Sequence, residues 1–152
     1  MARFAFRLDP VLKHRERIED EKSQVFAVAQ QALQDAEKER LYLVSRRDDL
    51  SVYIATEHAS FDSDALRIAY AHLGFLAREI RAAEMRVATC VEAAARAQDE
   101  LIAASKERRI LERLRERKQT VFDQEHERAE QRELDDANSL QHARNQAQGV
   151  SI

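Results

Sequence analysis

The sequence has 152 residues, 35% of them charged, with two Gly, one Pro, no Trp and a mean hydropathy of -0.61, which excludes a turn-rich globular core and favours long helices. A net charge of -3 and a pI near 6.0 argue against nucleic acid as a partner, since that calls for a clearly basic domain. No stretch reaches the roughly eighteen apolar residues of a membrane span, and the N-terminus lacks the apolar region of a signal peptide, so the chain reads as cytosolic, without direct membrane insertion.

The chain opens on an aromatic and basic arm, residues 1–9, with Phe4, Phe6 and Arg7. Asp9-Pro10 is a helix start: the carboxylate can accept from orphan N–H groups, and Pro has no N–H to leave unpaired. A first helix is expected over 10–57. No further Pro follows Pro10 and no Gly precedes Gly74, while apolar positions recur at Val11, Ile18, Phe26, Ala29, Leu33, Ala36, Leu43, Leu50 and Ile54. At Ala59-Ser60-Phe61-Asp62-Ser63-Asp64 the pattern gives way to small polar residues that turn the chain and cap a following helix. The hairpin tip is therefore placed at 58–63.

The second helix, expected over 64–140, carries the organising pattern. Leu66, Leu73, Ile80, Val87, Ala94 and Leu101 alternate with Ala69, Leu76, Ala83, Cys90, Ala97 and Ala104 in a seven-residue repeat without a polar member. Such a repeat holds one helix face against a partner as a left-handed coiled coil. Disorder, the other reading of high charge, would not keep an apolar face in phase over so many turns.

Folding back about the tip pairs residues whose numbers sum to about 120, within one helical turn. That places Leu66 by Ile54, Leu76 by Leu43, Ala83 by Ala36, Val87 by Leu33, Cys90 by Ala29 and Ala94 by Phe26. Arg47, Arg40, Lys22, Glu19 and Arg15 would face Leu73, Ile80, Ala97, Leu101 and Ala104, and the cationic stems can lie along the seam with their heads in water. By about residue 110 the second helix has run past Pro10, leaving an unpartnered overhang of roughly thirty residues, about 45 Å. Residues 141–152 are expected to fray. The fold class is thus all-α: a monomeric, long antiparallel two-helix coiled-coil hairpin with an overhanging second helix, on the order of 80 Å or longer.

Signatures of catalysis are missing. Gly74 and Gly149 cannot form a phosphate loop, and His126-Glu127-Arg128-Ala129-Glu130 has Glu where a zinc-protease helix needs its second histidine. His14, His58, His72 and His142 show no ligand spacing. Cys90 sits on the seam as a small hydrophobe, and two helices offer no dry cleft to perturb a carboxylate. The expectation is no enzyme, no metal and no cofactor.

What remains is binding. The run Lys106 to Lys118 is net basic but interleaved with Glu107, Glu112 and Glu116, unlike a DNA-reading region; it is either a solvated helix face or a surface for an acidic protein. Arg109, Arg113 and Arg117 recur at four-residue spacing as a basic stripe, with Leu111, Leu114 and Phe122 as apolar contacts and Phe4 and Phe6 available beside them. Around the tip, Tyr42, Tyr53, Tyr70, Phe61 and Phe75 cluster off the seam, as interface aromatics do.

Both ends resemble one family. Phe4-Ala5-Phe6-Arg7-Leu8-Asp9-Pro10-Val11-Leu12, with Arg15 and Glu19, is similar to the opening of the flagellar type III export protein FliJ family, a family of small antiparallel coiled coils. Leu111-Glu112-Arg113-Leu114-Arg115-Glu116-Arg117-Lys118 and Glu130-Gln131-Arg132-Glu133-Leu134-Asp135-Asp136 are similar to its C-terminal pattern. The resemblance implies a soluble export component of the bacterial flagellum. Such a component docks in the centre of the hexameric export ATPase like a rotary stalk, contacts the membrane export gate protein and escorts empty export chaperones, peripherally at the inner membrane. In the family an aromatic, aromatic, Leu, Ile pattern near the tip marks the gate contact; here Leu76 and Ile80 fit its end, Tyr70 and Phe75 are displaced, and His72 stands where Phe is usual.

Residues and resemblance together give a candidate ATPase-binding set of Phe4, Phe6, Arg109, Arg113, Leu114, Arg117 and Phe122. The candidate gate-binding set is Tyr42, Tyr53, Tyr70, Phe75, Leu76 and Ile80. The alternatives are the equivalent stalk of a virulence injectisome and a passive scaffold coiled coil, whose ends would have no dedicated partners.

Overall fold

A computed structural model describes residues 3–149. Helix α1 spans Asp9–Glu57, a single 3-10 turn spans His58–Ser60, and helix α2 spans Ser63–Gly149. There is no strand among the described residues, and none of their helices is long and apolar enough to cross a membrane.

The start of α1 differs in detail from the sequence expectation. Leu12 N–H donates to Leu8 C=O at 2.9 Å, so Leu8 holds the cap position and Asp9-Pro10 form the first turn, where the missing proline N–H costs nothing. Asp9 instead pairs with Lys13 at 2.9 Å, a carboxylate well placed at the positive end of the helix dipole. At the other reversal, Asp62 caps α2 by accepting from Ala65 N–H at 2.7 Å through Oδ1 and from Leu66 N–H at 3.0 Å through its carbonyl. Ser60 Oγ donates to Glu57 C=O at 2.7 Å and closes the 3-10 turn. Helix α2 continues past Leu140 to Gly149, since Gln141 to Gln148 contain no helix breaker.

The chain packs as two units, Arg17–Ser105 and Met1–Glu16 with Lys106–Ile152. In the first, all twelve residues of the heptad set are buried or half-buried. Ala83 is the most enclosed at 1% exposure, and Ile54 of α1 joins Leu76, Ile80, Ala94, Ala97 and Ala104 in the core. Lys22, Arg40 and Arg47 are half-buried. Lys22 reaches Glu100 at 2.6 Å and Arg47 turns to its neighbour Asp48 at 2.8 Å, heads outward over an apolar seam. No polar or charged side chain is buried among the described residues.

Ion pairs across the hairpin fix the register. Lys22 meets Glu100, and Glu39 meets Arg86 at 3.0 Å, so facing numbers sum to 122, within a turn of the expected 120, and to 125, a little over one turn from it. The displacement follows from the tip: Ser60 ends the turn and Asp62 starts α2, which centres the reversal near Phe61. Ile54 shares a groove with Tyr70 and Leu73.

The second unit corrects the expectation of a helix unpartnered from Ile110. The extended arm and the first turns of α1 lie on α2, where Leu12 is 2% and Phe6 9% exposed, with Leu8, Leu111, Leu114 and Phe122 half-buried. Arg15 pairs with Glu107, and Arg115 stands 3.8 Å from Asp9. Leu12, four residues after Leu8, shares its face, whereas Val11 is turned 100° away and is 42% exposed. Beyond His126 the described side chains of α2 are exposed, so the overhang begins about four turns later than the seam alone suggests.

Leu12→Ala should therefore lower unfolding free energy by about 2–4 kcal/mol, while Val11→Ala should change it by less than about 1 kcal/mol. Chemical denaturation followed by circular dichroism measures both. Equal effects would place the core on the wrong residue.

Candidate functional site

Two surfaces stand out, one in each unit. Near the tip, the helical period sorts the exposed aromatics onto two flanks of the seam. Tyr53 meets Phe61 edge-on at 5.6 Å and His72 stacks on Phe75 at 6.0 Å. A groove of about 280 Å3 between Arg46, Asp49, Leu50, Tyr53 and His72 joins these rings into one flank, and Tyr42 stands one turn before Arg46 on the same stripe. Tyr70 belongs to the other flank, where it borders a groove of about 360 Å3 with Ser51, Ala55 and His58. Tyr42, Tyr53, Tyr70 and Phe75 are all exposed, but Leu76 and Ile80 are 5% exposed. Those two are seam residues whose side chains mate with α1, and they support the surface from beneath.

His72 and Phe61 belong with this flank although neither is in the candidate gate-binding set. The signal was present for His72: it precedes Phe75 by three residues, which puts both rings on one helix face.

In the other unit, Phe4 lies against Phe122 with ring centres 5.6 Å apart, and Phe122 stacks on His126 at 6.1 Å. The His126 ring in turn reaches Glu130 at 3.3 Å. Phe6 is buried and Leu114 half-buried, so these two hold the arm on α2 and are not presented outward. Arg109, Arg113 and Arg117 are exposed and engage no carboxylate among the described residues. A groove of about 640 Å3 opens between Arg3, Phe4 and Ala5 of the arm and Arg117, Lys118, Val121, Phe122 and Glu125 of α2. Arg3, Lys118 and Val121 were not legible as site residues, because only the arm's packing brings them together.

At the start of α1, by contrast, charge is paired. Lys13, hydrogen-bonded to Asp9, holds that carboxyl below its ordinary value, and the charges of Lys13 and Arg115 add to the effect. A lowered folded-state pKa means the pairing contributes above the ordinary carboxylate range and is lost as pH falls through the lowered value. No cluster of three or more His, Cys, Asp or Glu able to hold a metal occurs among the described residues, and Cys90 is a half-buried free thiol on the seam.

The ring contact makes a local prediction. Phe122→Ala should speed hydrogen exchange at the amides of Asp9 and Leu12, which donate to Phe6 and Leu8, and leave amides of Leu66 to Ala104 unchanged. Unaltered exchange at Asp9 and Leu12 would mean that the arm does not depend on this ring.

The model of a family described as flagellar FliJ protein matches residues 4–147. Among solved structures, the chain is similar to CT670 from Chlamydia trachomatis, assigned as a candidate YscO homolog, with 21% identity and a TM-score of 0.46. The match covers 95% of this chain and 99% of that one. No curated protein sequence matches the chain.

Proposed function

The chain belongs to the flagellar FliJ protein family, and from that premise we propose that it is the stalk-like component that docks in the hexameric export ATPase and links it to the membrane export gate. The family is a component of the export apparatus, not a group of enzymes, and the family match supports the flagellar system over the injectisome. The observation that carries the reading is the arm packed on α2, Phe4 against Phe122 at 5.6 Å, beside a stripe of exposed arginines that engage no carboxylate among the described residues. Uncompensated cations on a rigid helix steer an acidic partner and set its orientation. A passive scaffold has no use for them.

The ATPase contact is assigned to Phe4, Arg109, Arg113, Arg117 and Phe122, with Phe6 and Leu114 holding the arm in place. The gate contact is assigned to Tyr42, Tyr53, Tyr70 and Phe75, over Leu76 and Ile80. Amphipathic rings exposed in a cluster offer large contact area at little entropic cost. Escort of empty export chaperones, and a peripheral place at the inner membrane, belong to the same proposal through the family resemblance.

Purified export ATPase provides the test. Arg113→Glu with Arg117→Glu should abolish stimulation of ATP hydrolysis while binding to the gate protein persists, and Tyr53→Ala with Phe75→Ala should do the reverse without loss of helicity. Docking should also weaken as salt rises, because exposed charges are screened. Full stimulation by the charge-reversed protein would reject the arginine stripe as the docking element.

A further inference from the structure

Resting on the ATPase-docking reading, the geometry points to a specific occupant for the groove between the arm and α2: an acidic segment of the ATPase ring that carries one bulky aliphatic side chain. The groove has two chemistries. Its walls are apolar, with Phe4 on the arm side and Val121 and Phe122 on the α2 side, and Val121 is 52% exposed, left uncovered by the described residues. Its rim is cationic, since Arg3, Arg117 and Lys118 surround the opening against a single carboxylate, Glu125. None of these three cations engages a carboxylate among the described residues.

A slot of about 640 Å3 can take an aliphatic side chain together with part of its backbone. Charge alone would attract any anion, so the apolar walls do the selecting, and the cations place the flanking carboxylates on either side of the seated residue. Glu125 gives the site a direction, because acidic residues of the occupant must lie toward Arg3, Arg117 and Lys118 and away from it.

An extended phosphate polymer or a lipid surface fits less well. Along α2 from the groove onward, Asp123, Glu125, Glu127, Glu130 and Glu133 outnumber Arg128 and Arg132, and a broad anionic partner would meet that net negative stretch. A short peptide segment touches the cations without reaching that acidic stretch.

The probes are fluorescein-labelled peptides of Glu and Asp with one central leucine, the same peptide with serine for leucine, and a lysine version of the first. Binding to the full chain is read by anisotropy, with circular dichroism as the folding control. The leucine peptide should bind, the serine version about tenfold more weakly, and the lysine version not at all. Val121→Glu and Lys118→Glu should each weaken the leucine peptide about tenfold, while Val28→Ala, at an exposed position of the hairpin outside both contact sets, leaves it unchanged.

Equal binding of the leucine and serine peptides, or indifference to Val121→Glu and Lys118→Glu together, would overturn the inference. Competition separates it from the reading on which it rests. Purified ATPase that binds the chain without displacing the peptide overturns the groove assignment and leaves docking intact. ATPase that does not bind at all rejects the docking reading, and with it the ring as the source of the segment.

Discussion

Everything in this chain depends on the mating of the α2 heptad face, Leu66 to Ala104, with α1. A two-helix hairpin has no third layer, so each seam residue can be hidden on one side only. Ala83, Ala94, Ala97 and Ala104 disappear because they are small, while Leu66, Leu73 and Leu101 stay half-buried. Small residues let the helices approach closely, and larger ones opposite them supply the area removed from water. With stability spread over many half-buried contacts, the polar residues at the seam edges must avoid burial, and among the described residues no polar side chain is buried.

The same constraint explains how charge is used. Lys22 with Glu100 and Glu39 with Arg86 bridge the helices along the edge of the seam. Exposed pairs of this kind add little stability, but they favour one register over its neighbours, which an alanine-rich seam by itself discriminates weakly. Glu100 shows the effect, its carboxyl held below the ordinary value first by the hydrogen bond from Lys22 and then by that residue's charge.

Around the arm, burial and function divide among adjacent residues. Phe6, Leu8 and Leu12 spend their apolar surface on α2, and this fixes Phe4 against Phe122 and Arg3 at the rim of a groove. Near the tip a similar division holds: Leu76 and Ile80 are committed to the seam, while Tyr53, His72 and Phe75 face outward on one flank. In each case a buried residue positions an exposed one a turn or less away. Surfaces built this way are rigid before a partner arrives, so little ordering entropy opposes docking.

The sequence by itself determined the two helices, the reversal between Ile54 and Leu66, and the seam, because a seven-residue period is local information that any helix of that composition must express. It also made the stripe of Arg109, Arg113 and Arg117 legible, since four-residue spacing puts side chains on one face wherever the helix goes. It placed the register to within about a turn, and the tip, with its reversal centred near Phe61, decided the rest. It could not choose Leu12 over Val11, or see that Phe6 would be enclosed, although it did put Leu76 and Ile80 on the seam where they are buried. It grouped Phe4 with Phe122 as one candidate set, but the ring contact itself and the groove with Arg3 at its edge were decided by packing of the arm on α2, because the arm has no periodicity to fix where it lies.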